Sequence, residues 1–388
     1  MLATTVRLTR DLDTAEECVQ DAYVAALRAW ARTGVPPRPG AWLTVAARRN
    51  ALTALARQRT LRAKLPLLLE PEAVQLPEPA GDVIPDDRLR LVFICCHPAL
   101  AAEAQVALTL RLVCGVSTAD IAHACLVSEP TLAARLTRAK KKITAARIRY
   151  VVPGPDDLPA RLDAVLTVVH LLSTMGHTAP SGDALTRVDL ADRALDLARL
   201  LHALLPAEPE VAGLLALLLV HQARRDTRVD AAGQLARLAD QDRSAWDHAM
   251  ITDADRLVVA ALRSGSAGRF ALQAAIAALH AQAPSYADTD WPQIRLLYDA
   301  LLRVWPSPVA ALNRAVVVAM TDGPAAALAE VEELERDGRL ASYRYLPATR
   351  ADLLRRLGRP AEAADAYRVA LALTTNSAER AYLIAQLD

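Results

Sequence analysis

Residues Ser117 to Lys142, STADIAHACLVSEPTLAARLTRAKKK, set two amphipathic helical patterns on either side of a short break. Few arrangements other than a helix–turn–helix satisfy them. Ser117 is positioned to cap the first helix and Asp120 falls at its third helical position, a capping-box-like pairing. Ile121 and Ala122 give that helix its apolar side, and Leu126-Val127-Ser128 forms the turn. Pro130 is tolerated in the first turn of the second helix, where no backbone donor is required. Within it Leu132, Leu136, Ala139 and Ile143 fall on one stripe, while Thr131, Arg135, Arg138 and Lys142 repeat the same spacing on another. One side packs and the other presents hydroxyl and cationic donors. A major groove admits such a helix, and arginine binds guanine bidentately there. The blander alternative is a solvated basic face on a helix pair that never meets DNA.

Charge supports the first alternative. The net charge of +1 hides an asymmetry, because residues 1–150 carry 21 Lys+Arg against 14 Asp+Glu (21 − 14 = +7) and residues 151–388 carry 24 against 30 (24 − 30 = −6). Nine cations and no carboxylate lie between Ala22 and Leu69, and seven and none between Pro130 and Pro155. Two acid-free basic blocks imply two nucleic-acid contacts and strongly salt-dependent binding.

The fold class expected is all-α. Aromatic residues are only 4 % of a chain dominated by Ala and Leu, which disfavours sheet. The first segment, Leu2 to about Trp30, has a helical pattern in which Val6, Val19, Tyr23, Ala26 and Leu27 interleave with acidic positions. A proline-rich loop at 33–40 precedes a second helix from Ala41 to about Leu65, in which Arg49, Thr53 and Arg57 recur at four-residue steps. Five prolines and four carboxylates in Pro66 to Pro85 predict an extended acidic linker. The segments expected are therefore 1–65, the linker 66–85, a module at 86–150 holding the helix–turn–helix, a short linker 151–159, and a helical extension 160–388. In the extension, Ala351, Leu354, Ala363, Tyr367 and Ala370 around Gly358 match the small and large positions of a tetratricopeptide pair, with a looser copy at Gly323-Pro324. Such pairs stack into solenoids whose concave side binds peptide or protein; a plain helical bundle is the alternative.

Catalysis is not expected. No Walker loop, G-x-G-x-x-G, G-x-S-x-G or H-E-x-x-H is present. Cys18, Cys95, Cys96, Cys114 and Cys125 lack paired C-x₂-C spacing and suit a buried, reduced core better than a metal site. His170, His177, His202 and His221 sit in apolar helical context and are expected to pack. No cofactor, no metal, no membrane span and a cytoplasmic location are expected.

Three stretches resemble one known family, the extracytoplasmic-function group of bacterial σ70-type factors, in the subgroup with a tetratricopeptide-like C-terminal extension. DLDTAEECVQDAYVAALRAW with GAWLTVAARRNALTAL resembles σ region 2. RLVFICCHPALAAEAQVALTLRLVCGVSTADIAHACLVSEPTLAARLTRAKKKI resembles σ region 4. ARRDTRVDAAGQLARLADQDRSAWD and DTDWPQIRLLYDALLRVWPSPVAALNRAV resemble the extension. The resemblance implies a promoter-specificity subunit that binds core RNA polymerase through the β′ clamp helices and the β flap, and that contacts promoter DNA. Glu16, Glu17, Gln20 and Asp21 would dock on the clamp helices. Arg48, Arg49, Asn50, Thr53 and Arg57 would read and melt the −10 element. Ser128, Glu129, Thr131, Arg135 and Arg138 would read the −35 element, with Lys140, Lys141 and Lys142 on phosphate. The linker would thread toward the RNA path, and the extension would regulate the σ activity.

The chain departs from that pattern at several points. Met1 falls inside the first region 2 helix, so residues that usually precede it are expected to be absent. Thr53 replaces an Asp, Ala54 and Ala56 stand where cations are common, and Ala134 replaces a polar residue. Thr174-Met175-Gly176-His177 replaces the subgroup's N-E-G-Y signature. The competing reading is a DNA-binding regulator that senses a ligand or protein through its helical repeats and is not a σ factor.

Overall fold

The computed structural model describes residues 1–64, 87–145, 158–230, 235–265 and 267–387. The acidic stretch 66–85 and residues 151–157 of the second expected linker lie outside them. Contacts divide the chain into two compact units, residues 1–118 with 130–165, and residues 119–129 with 166–388. The division cuts across the 86–150 module. The turn of the helix–turn–helix and nearly all of its first helix cluster with the extension.

The first unit begins with α1 (Leu2–Thr9) and α2 (Leu12–Thr33). The expected continuous helix is broken here: Arg10 takes a left-handed conformation (φ 52°), and the Asp11 side chain accepts the Thr14 N–H at 2.7 Å to restart the helix. Helix α3 (Pro39–Lys64) follows the proline loop. It closes on α2 through small residues, with Ala22, Ala47 and Ala51 each fully buried. The Asn50 amide donates to the Cys18 carbonyl at 3.1 Å across that contact. Helices α4 (Asp87–Cys95) and α5 (Ala102–Leu112) complete a core in which Val6, Leu12 and Ala15 meet Leu91, Leu108 and Ile143. Cys18, Cys95, Cys96 and Cys114 are all buried thiols. Burial pushes the Cys96 thiol up to about 12, which makes it a poor nucleophile.

Between α6 (Thr118–Ala124) and α7 (Glu129–Ala145), Leu126 adopts φ 54°, a conformation that a branched side chain rarely takes. Its side chain packs against the core of the second unit, and that apolar burial offsets the local strain.

Helix α8 (Pro159–His177) leads into the second unit, an all-helical body whose strands are a single two-residue pair among the described residues. Helices α9 (Val188–Leu204), α10 (Pro209–Ala223), α11 (His248–Arg263) and α12 (Arg269–Gln282) follow. Helix α10 is apolar nearly all round and buries eleven of its fifteen residues. It meets α12 closely: a Cβ on Gly213 would lie 2.5 Å from the Ala271 nitrogen. Glu210 on α10 also accepts the Phe270 and Ala271 N–H groups at 2.9 and 3.0 Å, capping α12 from outside its own chain segment. Helices α13 (Trp291–Val304), α14 (Pro308–Thr321), α15 (Pro324–Asp337), α16 (Tyr345–Arg356) and α17 (Pro360–Leu373) then pack on one another in chain order. Ala351, Leu354, Ala363, Tyr367 and Ala370 are all buried in their shared core. Before the final helix α18 (Ser377–Ala385), β2 (Thr375–Asn376) pairs in parallel with β1 (Ser181–Gly182). The end of the chain is thereby tied to the loop after α8.

Candidate nucleic-acid interface

Helix α3 turns its cationic face outward because its inner side is packed through alanines, Ala47 and Ala51. Arg48, Arg49, Thr53 and Arg57 are exposed, and the exposed Val45 and Leu52 stand among them. Cations interleaved with apolar groups on one face suit a strand with unstacked bases, whose phosphates and base faces both need partners. Two of the expected side chains are otherwise engaged. Asn50 is half-buried and bonded to the Cys18 carbonyl, while the Thr53 hydroxyl donates to the Arg49 carbonyl at 3.0 Å.

On α7 the packing stripe is as expected, with Leu132, Ala139 and Ile143 buried. Ser128, Glu129, Thr131, Arg138, Lys141 and Lys142 are exposed, and Arg135 and Lys140 are partly covered. Lys140 forms an ion pair with Glu16 of α2 at 2.6 Å, so one expected phosphate contact holds one expected polymerase contact. Each side chain is about one-third exposed (31 % and 30 %), and such a pair contributes about 0–1 kcal/mol. It is weak enough to part.

The outer face of α2 carries Glu17, Gln20 and Asp21, all exposed, and beside them Val24 and Leu27. Leu27 is 74 % exposed. Tyr23 and Leu27, expected among the apolar periodic positions, therefore face outward, unlike Val6, Val19 and Ala26. The sequence signal was present, since these positions fall in register with Glu17, Gln20 and Asp21, but apolar residues at helical spacing ordinarily indicate a core. An acidic rim beside an exposed apolar strip is the surface character that partner-binding patches have.

In the second unit the first helix of the motif is held from several sides. Arg344 donates through Nη1 to His123 Nε2 at 2.6 Å, which requires a neutral imidazole with its proton on Nδ1. Burial, and then the Arg344 charge, lower the His123 pKa in accord with that state. Arg344 is itself paired with Glu379 at 2.8 Å, both side chains nearly sealed from water, and Tyr345 donates to the same carboxylate. Ser181 in the β1 loop reaches Asp120 at 3.5 Å.

Comparison with known families identifies three regions of the chain. The Sigma-70 region 2 profile matches residues 2–60 and the Sigma-70, region 4 profile matches residues 90–143. The chain belongs to the extracytoplasmic-function σ70 family. A third profile, Family of unknown function (DUF6596), matches residues 161–262 of this sigma factor, within its helical extension. Uncharacterized protein R00370 of Rhizobium meliloti (strain 1021) is 45 % identical over 388 residues, which is 99 % of this chain and 91 % of that protein. The extension is therefore shared along with the two DNA-binding regions. Among the described residues no helix is long and apolar enough to cross a membrane.

Proposed function

We propose that this sigma factor docks on core RNA polymerase through the outer face of α2, reads the −35 element with α7 and the −10 strand with α3, and is regulated by its own extension. The observation that carries the reading is the α2 face, where Glu17, Gln20 and Asp21 border exposed Val24 and Leu27. A protein that only bound an operator would gain nothing from leaving those apolar groups in water. The β flap would be a second contact on the polymerase.

The contribution of the chain is binding; the polymerase supplies the chemistry. Arg135 and Arg138 are the side chains assigned to base edges, and Lys141 and Lys142 to phosphate. Exposed Arg48, Arg49 and Arg57 would hold the non-template strand of the −10 element. Regulation by the extension is supported by its grip on Asp120, His123 and Leu126. The α13–α17 helix pairs, with Ala351, Leu354, Ala363, Tyr367 and Ala370 in their core, support a tetratricopeptide-like reading and a protein or peptide ligand for that surface.

Glu17→Lys with Asp21→Lys is expected to abolish co-purification with core polymerase while leaving the circular dichroism spectrum unchanged. Normal co-purification of that double variant would overturn the docking assignment and favour a regulator that acts without the polymerase clamp.

A further inference from the structure

The second unit holds a cavity of about 300 Å³, at the small end of the range that takes organic ligands. Its wall is rich in rings, contributed by Phe270, Trp305, Tyr343 and Tyr345. Tyr343 meets Tyr345 edge to face at 5.2 Å, and His170, also on the wall, meets Phe270 in the same way at 5.5 Å. Edge-to-face packing holds ring planes in place, so the cavity offers faces and edges at fixed angles to a flat guest.

Charge is not what this cavity has to offer. Both cations that line it are engaged. Arg344 pairs with Glu379 at 2.8 Å and donates to His123, while Arg269 lies over Phe270 and Trp305 and donates to the Thr167 hydroxyl. An anion would have to draw an arginine from the partners it has. No carboxylate is among the described lining residues, so a cation would enter without a counter-charge.

The other polar side chains on the wall are neutral. Burial pushes the Tyr343 phenol up to about 12, so it keeps its proton. Gln273 uses its amide nitrogen on the Arg269 carbonyl at 3.1 Å, which leaves the amide oxygen as its acceptor. His170 narrows the chemistry further. Burial first, and the Arg269 charge second, lower its pKa to about 4, so the ring is neutral, with one donor and one acceptor nitrogen. Its Nδ1 is sealed from water and has no hydrogen-bond partner. The nitrogen through which His170 can meet a molecule in the cavity is therefore Nε2. A hydroxyl both donates and accepts, so it bonds to Nε2 in either tautomer. His123, Ala124 and Leu126 line the same space, and a guest would lie against α6 and the turn.

We propose that this cavity binds a small neutral aromatic molecule that carries a hydroxyl group, its rings among Phe270, Trp305, Tyr343 and Tyr345 and its hydroxyl on His170 Nε2. Binding rests on the second unit and not on the σ-factor reading, so the test uses neither polymerase nor promoter.

The full chain is titrated at neutral pH with phenol, 2-naphthol and 4-hydroxybiphenyl, each against its methyl ether. The charged counterparts 2-naphthoate and 2-naphthylmethylammonium are added as controls, and melting temperature and amide hydrogen exchange are followed. At least one of the hydroxyl compounds should raise the melting temperature saturably, and its ether should do so at least tenfold more weakly. The charged compounds should have no effect. Exchange should slow at the Leu126 and Val127 amides, which bond to the His123 and Ala122 carbonyls. His170→Phe keeps a ring against Phe270 but has no nitrogen, and should bring hydroxyl compound and ether to parity. Ala124→Phe adds bulk to the wall and should weaken every compound at least tenfold while the chain stays folded. The assignment is overturned if no hydroxyl compound stabilises the chain, if either charged compound matches 2-naphthol, or if the ethers bind as well as their parents. It is equally overturned if folded His170→Phe keeps the preference, if folded Ala124→Phe binds as before, or if exchange at residues 126–127 is unchanged at saturation.

Discussion

Helices α2 and α10 differ in a way that explains the whole molecule. Helix α2 runs for 22 residues and buries six of them, leaving Tyr23, Val24 and Leu27 in water. Helix α10 runs for 15 residues and buries eleven. The first uses one stripe inside the chain and turns another outward. The second is a central strut, surrounded by α9, α11 and α12. A helix is built for a partner when its apolar residues exceed what its own fold can cover, and the excess on α2 stands beside carboxylates.

A charge on each helix is the severest way to break that contrast. Leu214→Asp on α10 places a carboxylate where the side chain is fully buried and should cost more than about 4 kcal/mol in urea unfolding. Leu27→Asp on α2 should stay within about 0.5 kcal/mol of the parent. Comparable losses at the two positions would mean that the α2 face is covered within the chain itself.

Acid should separate the two units next. Burial first, and neighbouring arginines second, hold His170 down to about 4, His221 to about 3 and His280 to about 4, with His177 also well below its ordinary value. All four lie in the second unit. Their unfolded pKa is about 6.5, so the unfolded state takes up protons first as pH falls. The stability they contribute is complete above about pH 6.5 and drains away as pH drops toward 4. The urea midpoint should fall over that window, hydrogen exchange should localise the loss to residues 166–387, and His221→Gln should flatten the slope. A flat profile from pH 6.5 to 5 would break the assignment of these rings as neutral packing groups.

The smallest effect sharpens the contrast within α3. Asn50→Ala removes the bond to the Cys18 carbonyl and should cost about 1 kcal/mol. Arg49→Ala on the exposed face should leave the unfolding midpoint nearly unchanged while weakening binding to a single strand. If Arg49→Ala costs as much stability as Asn50→Ala, α3 is not divided into a packing side and a presenting side.

Much of this was legible in the residues. The turn at 126–128, the packing stripe Leu132, Leu136, Ala139 and Ile143, and the all-helical class follow from spacing, because the period of 3.6 residues assigns each position a direction before any partner is known. The break at Arg10 was not legible, since neither glycine nor proline marks it and only the meeting of α1 with α2 demands a left-handed residue there. The outward turn of Leu27 was hidden for a related reason. Periodicity shows that apolar residues share a face, but not whether that face is covered.

The chain on its own determines two basic helical faces, an acidic stretch between them and a helix-rich extension, because those properties are local to a few consecutive turns. It does not determine that Arg344 meets both His123 and Glu379, or that the Arg269 guanidinium lies over the Phe270 and Trp305 rings. Arg344 and His123 are 221 positions apart in the chain. A contact of that span has no signature in spacing, and only the packing of the second unit brings its members together. Charge and period decide which surfaces the protein can offer; the tertiary fold decides which of them it keeps for itself.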